Sequence, residues 1–425
     1  MNKYKDLIER INYGLFLTVV ALLPFPQTPL RYACVLWIAT WFLELRWLKI
    51  SNIKYQISNI KSLPFILFGL WFVWQLVSGF WAPDHTAWAR QMERYLTFGL
   101  LVPVALWGVN SRYDWRQAAK VLVISCVIAV PVYILWMAAL YHHPEWVTNL
   151  PLTEEWIHHE QWSIFLPENI SHFKHRLFLC SVELTGVICA WLLYRNQWRL
   201  FIPAILVMLS SIPLTGSRQS VITVIVLAAL LILFSIPQNS HRLWYGIGVT
   251  VVGVVLLIGF LKTHPRMQDV QIRDLTEMRE MSYNHDIRYN IWGAALQHPS
   301  DYIAYGLGAG QSQDYLAERY ADVHFDYYAQ KRYHAHNQYL EVMMELGIPG
   351  LLLFLAAWLS IPLCTKKKGR QTAILFTSLF MLNMFTDCMF GKFCGIALWA
   401  VGLMLIFLQS DTERDEQTSG NTETH

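Results

Sequence analysis

Four side chains in this 425-residue chain have the type and setting for chemistry: Arg218, Arg288, His334 and His336. Arg218 sits in the small-residue turn Leu214-Thr-Gly-Ser-Arg-Gln-Ser220, between two apolar blocks. Arg288 opens a short helical pattern, Arg288-Tyr-Asn-Ile-Trp292. The histidines lie in His334-Ala-His336-Asn337, just ahead of another apolar block. Guanidinium forks grip phosphate oxygens two at a time and stay charged throughout. An imidazole takes a proton from a hydroxyl when held against it. Such a set suits a bound diphosphate: the arginines stabilise charge on the departing group while a histidine deprotonates an incoming hydroxyl.

Each residue also has a plainer reading. Arg218 would serve as an arginine snorkelling to an interface, although its Gly/Ser-lined turn leaves room for a cavity. Arg288 shares its segment with Arg266, Arg273, Arg279, Arg319, Lys331 and Arg332, so a solvated loop charge competes. Arg90 and Arg94, one helical turn apart, are either interface anchors or a second anionic contact. His334 and His336 would diverge by about 200° on a helix. They lack the HExxH pattern or carboxylate partners of a zinc site, and none of the seven cysteines forms a Cys-x-x-Cys pair. No metal and no other cofactor is expected. Gly306-Leu-Gly-Ala-Gly310 has no strand before it and no Lys-Ser/Thr after it, so it is not read as a nucleotide loop. The glycines suit a tight turn near a bound substrate.

The elements that must position these groups are membrane helices. The chain is 55% apolar and 14% aromatic but only 15% charged, too little charge to cover a soluble surface of this size. The apolar residues gather in blocks of roughly 17–25, enough helix to cross about 30 Å of hydrocarbon. Spans are expected near 11–24, 30–48, 63–80, 95–107, 118–141, 177–194, 201–214, 221–236, 243–261, 337–362, 373–388 and 393–408. The expected class is an all-α polytopic membrane protein of about twelve helices, one membrane domain over 1–425 in contact with the lipid bilayer. The first block lacks a small-x-small cleavage site and is read as a retained helix.

Basic residues set the orientation. Arg46–Lys61, Arg112–Lys120, Arg195–Arg199, Arg242 and Lys366–Arg370 fall on one side, which is then cytoplasmic, with both chain ends. Two long loops, about 142–174 and 263–336, fall on the other side. The first carries Trp146, Trp156 and Trp162, suited to the membrane interface. The second contains helical patterns at Asp286–Gln297 and Ser312–Tyr320 and would form a helical cap. No internal repeat supports an inverted-repeat transporter, and nothing points to nucleic acid.

Taken in order, Thr215-Gly-Ser-Arg218, Arg288 with Trp292, Gly306-x-Gly-x-Gly310, His336-Asn337-x-x-Leu340 and Glu345-x-Gly347-x-x-Gly350 resemble the O-antigen ligase and polymerase superfamily. The resemblance implies a GT-C-like fold and an inverting, metal-independent glycosyltransferase of the bacterial (Gram-negative) inner membrane, acting on the periplasmic face. The donor it implies is an undecaprenyl diphosphate-linked glycan. Arg218 and Arg288 correspond to the family's diphosphate-binding arginines, and His336, beside Asn337, to its general base. Asn337, His334, Arg90 and Arg94 carry over only as possible substrate contacts. Members differ by acceptor. The expectation here is a ligase acting on a lipid A–core sugar, because no added C-terminal domain of the protein-directed kind is seen. An O-antigen polymerase or a protein O-oligosaccharyltransferase is the alternative within the same chemistry. A lipid-linked glycan flippase is less favoured, since the middles of the spans are almost free of charge.

Overall fold

The computed structural model describes residues 2–45, 62–107, 112–142, 175–215, 217–235, 287–322 and 326–411, with isolated positions between 244 and 259. Helices fill these segments, and no strand occurs among the described residues. In chain order they are α1 (Asn2–Leu22), α2 (Gln27–Glu44), α3 (Leu63–Val77), α4 (His85–Trp107), α5 (Trp115–His142), α6 (Arg176–Tyr194), α7 (Trp198–Thr215) and α8 (Arg218–Ser235). Three short helices follow: α9 (Ile287–Ala295), α10 (Ser312–Asp322) and α11 (Asp326–Lys331). The chain closes with α12 (Gln338–Cys364), α13 (Lys367–Met384) and α14 (Phe393–Asp411).

Six described helices are long and apolar enough to cross a membrane: Leu63–Phe80, Trp115–Trp136, Arg176–Tyr194, Trp198–Thr215, Gln338–Cys364 and Phe393–Ser410. The protein is a multi-pass helical membrane protein. Every expected span except the ninth falls on a described helix. The ninth lies largely outside the described residues, as do the whole first loop with its tryptophans and the start of the second.

Helix ends depart from the hydropathy pattern where polar side chains carry a helix beyond its apolar block. The structure starts α1 at Asn2, ahead of the expected Ile11. Its polar turns are held by Lys5–Glu9 at 3.6 Å and Arg10–Asp6 at 2.9 Å, one helical turn apart. Arg112 closes on Asp6 from the link before α5. Likewise α4 starts at His85, with the Asp84 carboxylate accepting the Thr86 N–H at 2.7 Å as an N-terminal cap.

Helices α6 and α14 form the centre of the bundle, each 83% buried over its apolar window, whereas α7 is only 22% buried and faces outward. Around α14 the aromatic rings interlock. Phe98 lies 4.6 Å from Trp399, Phe68 lies 5.0 Å from Trp399, and Trp358 stacks on Phe380 at 5.0 Å. Offset and edge-on packing of this kind fixes a rigid floor. A second, smaller apolar cluster (Ile291, Ala294, Tyr302, Leu316, Tyr320, Ala335, Leu340 and Met344) packs α9 and α10 onto the first turns of α12.

Helix α12 breaks at Gly347, whose φ of 65° and ψ of −168° lie outside any helix. The break frees carbonyl groups that need donors. Leu307 and Gly308 donate their N–H groups to Met344 O and Glu345 O, each at 2.9 Å, and the Trp74 indole donates to Leu346 O at 3.1 Å. Two backbones therefore touch. A Cβ at Gly306 would lie 2.2 Å from Glu345 O, and one at Gly347 would lie 2.6 Å from Tyr305 Cα. The start of the glycine run, Gly306 to Gly308, seats the cap on the break in α12.

Candidate active site

Asn337 decides where α12 begins. Its side-chain oxygen accepts the N–H groups of Tyr339 and Leu340 at 3.0 and 3.1 Å, a full N-cap. The two histidines therefore precede the helix and do not diverge as helical neighbours would. Their ring centroids are 4.0 Å apart. The turn is held through the residue between them. Ala335 donates its N–H to Glu341 Oε2 at 3.1 Å, and its carbonyl accepts from the Trp292 indole at 2.9 Å. His336 takes a φ of +46°, a left-handed conformation that costs energy in a residue with a side chain.

Both rings face Asp387, which sequence reasoning did not single out. His336 Nδ1 lies 3.7 Å and His334 Nε2 lies 4.0 Å from Asp387 Oδ1, and His175 Nε2 lies 3.8 Å from Oδ2. The expected eleventh span ends at Met384 and not Cys388, which leaves Asp387 in the link to α14. The only signal in the sequence is a lone acidic residue at the end of an apolar block. Burial opposes the charge of Asp387. The His336 imidazole, with His175 and His334, outweighs it and holds the carboxyl well below the usual carboxylate range.

His334 is of the opposite kind. Burial, then the neighbouring His336 ring, push its imidazole down to about 3 against the pull of Asp387. Its Nδ1 accepts the His336 backbone N–H at 3.1 Å. A neutral ring with that nitrogen occupied carries its proton on Nε2, the atom turned toward Asp387. His334 is thus neutral, with its N–H turned toward the carboxylate at 4.0 Å, and is unsuited to act as a base.

Arg288 reaches the same corner. It stands in the first turn of α9, and its Nε donates to Thr386 O at 3.0 Å, one residue before Asp387. Arg218 is the first residue of α8, and its side chain lies outside the described set. The next residue, Gln219, donates to Leu382 O at 2.7 Å, and Thr223 donates to Asn383 Oδ1 at 3.0 Å. Asn383 in turn donates to Ser181 on α6 at 2.9 Å. These contacts pin the start of α8 to the last turns of α13, directly before Thr386 and Asp387. Arg94, exposed on α4, acts electrostatically on Glu345 of α12. Arg90 is exposed and folds back on its own helix, Nε to Thr86 O at 3.4 Å.

Two groups of donors have metal-site spacing: His334, His336 and Asp387, and His334, Glu341 and Cys388, each with ligand atoms within 4.8 Å of one another. The bond from the His336 amide disfavours the first. It fixes the His334 proton on the nitrogen that faces the carboxylate, and that nitrogen can ligate only after a tautomer change.

This geometry lies across a segment with known relatives. Residues 203–355 match the family model described as O-antigen ligase. Over this segment the chain is similar to the O-antigen ligase family. The segment covers α7 through the break in α12, and so includes Arg218, Arg288, His334 and His336. Asp387, His175, Arg90 and Arg94 lie outside the matched ligase segment, and packing alone relates Asp387 and His175 to its histidines. Among curated protein sequences the chain has no match.

Proposed function

We propose that the chain is an O-antigen ligase. It transfers a glycan from undecaprenyl diphosphate to a sugar hydroxyl of lipid A–core, with inversion and without a metal. The observation that carries this reading is the His336–Asp387 pair with Arg288 anchored one residue away on Thr386. The ionised Asp387 keeps a proton on His336 Nδ1, so Nε2 presents its lone pair to the acceptor hydroxyl. As the hydroxyl oxygen bonds to the anomeric carbon, its proton passes to Nε2. The bond from that carbon to the phosphate oxygen breaks, and its electron pair leaves with undecaprenyl diphosphate. Arg288, with Arg218, neutralises the charge that builds on this leaving group. Because a guanidinium is always charged and the nucleophile is a hydroxyl, the scheme needs neither ATP nor a cation.

The reading sets the active site on the periplasmic face of the inner membrane, with both chain ends in the cytoplasm, twelve spans in all, and one membrane domain under a catalytic cap. Deletion of the gene, read by lipopolysaccharide gel, tests it. A ligase leaves lipid A–core without polymer while lipid-linked polymer accumulates. A core bearing a single repeat would identify a polymerase instead, and unchanged lipopolysaccharide with altered glycoproteins a protein-directed transferase. Cargo trapped on the cytosolic leaflet would identify a flippase.

A further inference from the structure

Ser312, the first residue of α10, places its Oγ 2.7 Å from Glu341 Oε1 and 2.8 Å from Glu345 Oε1. A hydroxyl has one hydrogen and can donate to only one of them. If both carboxylates were ionised, the second contact would set lone pairs against lone pairs at bonding distance, with Ser312 and Glu345 buried and Glu341 half-buried. That contact is favourable only when the second carboxyl carries a proton and donates it to Oγ. We propose that Glu341 and Glu345 share a single proton through Ser312, and that this bridge makes Glu341 the positioning residue for the His336 base.

The link to the base is direct. Glu341 spends its other oxygen, Oε2, on the Ala335 N–H, which anchors the turn that forces His336 into its left-handed conformation. Glu345 lies two residues before the break in α12, and its carbonyl receives Gly308 of the cap. The bridge therefore ties α10, the histidine turn and the break into one unit. Its charged and titratable neighbours come from every side. Arg94 and Tyr95 face it from α4, Tyr320 from α10, His334 and His336 from the turn, and Cys388 from the link after α13. With one proton the pair is a single anion opposite Arg94. Removal of that proton at alkaline pH leaves two adjacent anions competing for one hydroxyl, and the hold on Ala335 slackens.

This inference rests on the transfer reading only for the role of His336; the shared proton can be tested without any transfer. Infrared spectra of the purified full chain near neutral pH, without donor, are predicted to contain a protonated-carboxyl band that disappears in both Glu341→Gln and Glu345→Gln. Each variant can rebuild the bridge with an amide donor and one carboxylate, so neither needs the proton. The absence of the band in the wild type, or its persistence in either variant, overturns the proposal. In transfer assays the wild type should lose rate on the alkaline side, and Glu345→Gln should move that fall upward by at least about one pH unit. Glu341→Ala should lower kcat by about tenfold or more with little change in donor KM, and Glu341→Gln should recover most of it. An alkaline limb unmoved by Glu345→Gln, or no recovery with Glu341→Gln, contradicts it.

Discussion

His336 Nδ1 faces Asp387 Oδ1 at 3.7 Å, joining the turn before α12 to the link after α13. The carboxylate stays ionised because its histidine neighbours outweigh the cost of burying it. An anion there selects the imidazole tautomer with its lone pair on the far nitrogen. Asp387→Asn keeps the shape and removes that selection. It should lower kcat by about 100-fold or more while donor affinity holds, as measured by steady-state transfer alongside binding of the lipid-linked donor.

Arg288 is held by its Nε on Thr386 O, one residue before Asp387. Arg288→Ala should reduce transfer by about 10²–10³-fold, the scale for loss of one fixed group facing developing charge. Arg288→Lys should restore only part of it, because a single ammonium cannot reproduce the fork. Comparing kcat/KM for the two variants checks this.

The neutral state of His334 has a consequence for stability. Its imidazole falls from the usual 6.5 to about 3 in the folded protein. Between those values the unfolded chain binds a proton that the folded chain refuses. Stability present above about pH 6.5 should therefore erode as pH falls toward 3. His334→Gln, which does not titrate, should flatten that slope in thermal unfolding of the detergent-solubilised protein.

Gly347→Ala should destabilise the protein by about 1–3 kcal/mol. The added Cβ would lie 2.6 Å from Tyr305 Cα at a φ that disfavours side chains. The effect should register as a lower unfolding temperature together with reduced transfer, since the same break seats the cap.

Much of the fold was legible because each span is a local, contiguous run of apolar residues. The end of α13 was not, because Phe385 and Cys388 continue the apolar run past the point where the helix stops. Arg288, His334 and His336 were visible as polar groups beside apolar blocks. Asp387 was invisible, since its meaning comes from histidines on distant segments that packing brings to it. His334 and His336 do not diverge as they would on a helix, because Asn337 caps the helix after them. The glycine run reads in the sequence as a tight turn; the fold sets Gly306 against the backbone of α12, and Gly308 and Gly310 against Ala82 and Ala87. Nothing in the sequence relates Ser312 to Glu341 and Glu345; the fold sets its hydroxyl between them.

The central claim is that His336 takes the proton from the acceptor. The most direct measurement is transfer by purified His336→Ala protein from an undecaprenyl diphosphate-linked glycan to lipid A–core, with a chelator present. Donor binding should persist and transfer should fall by at least about 100-fold; transfer at the wild-type rate would contradict the account.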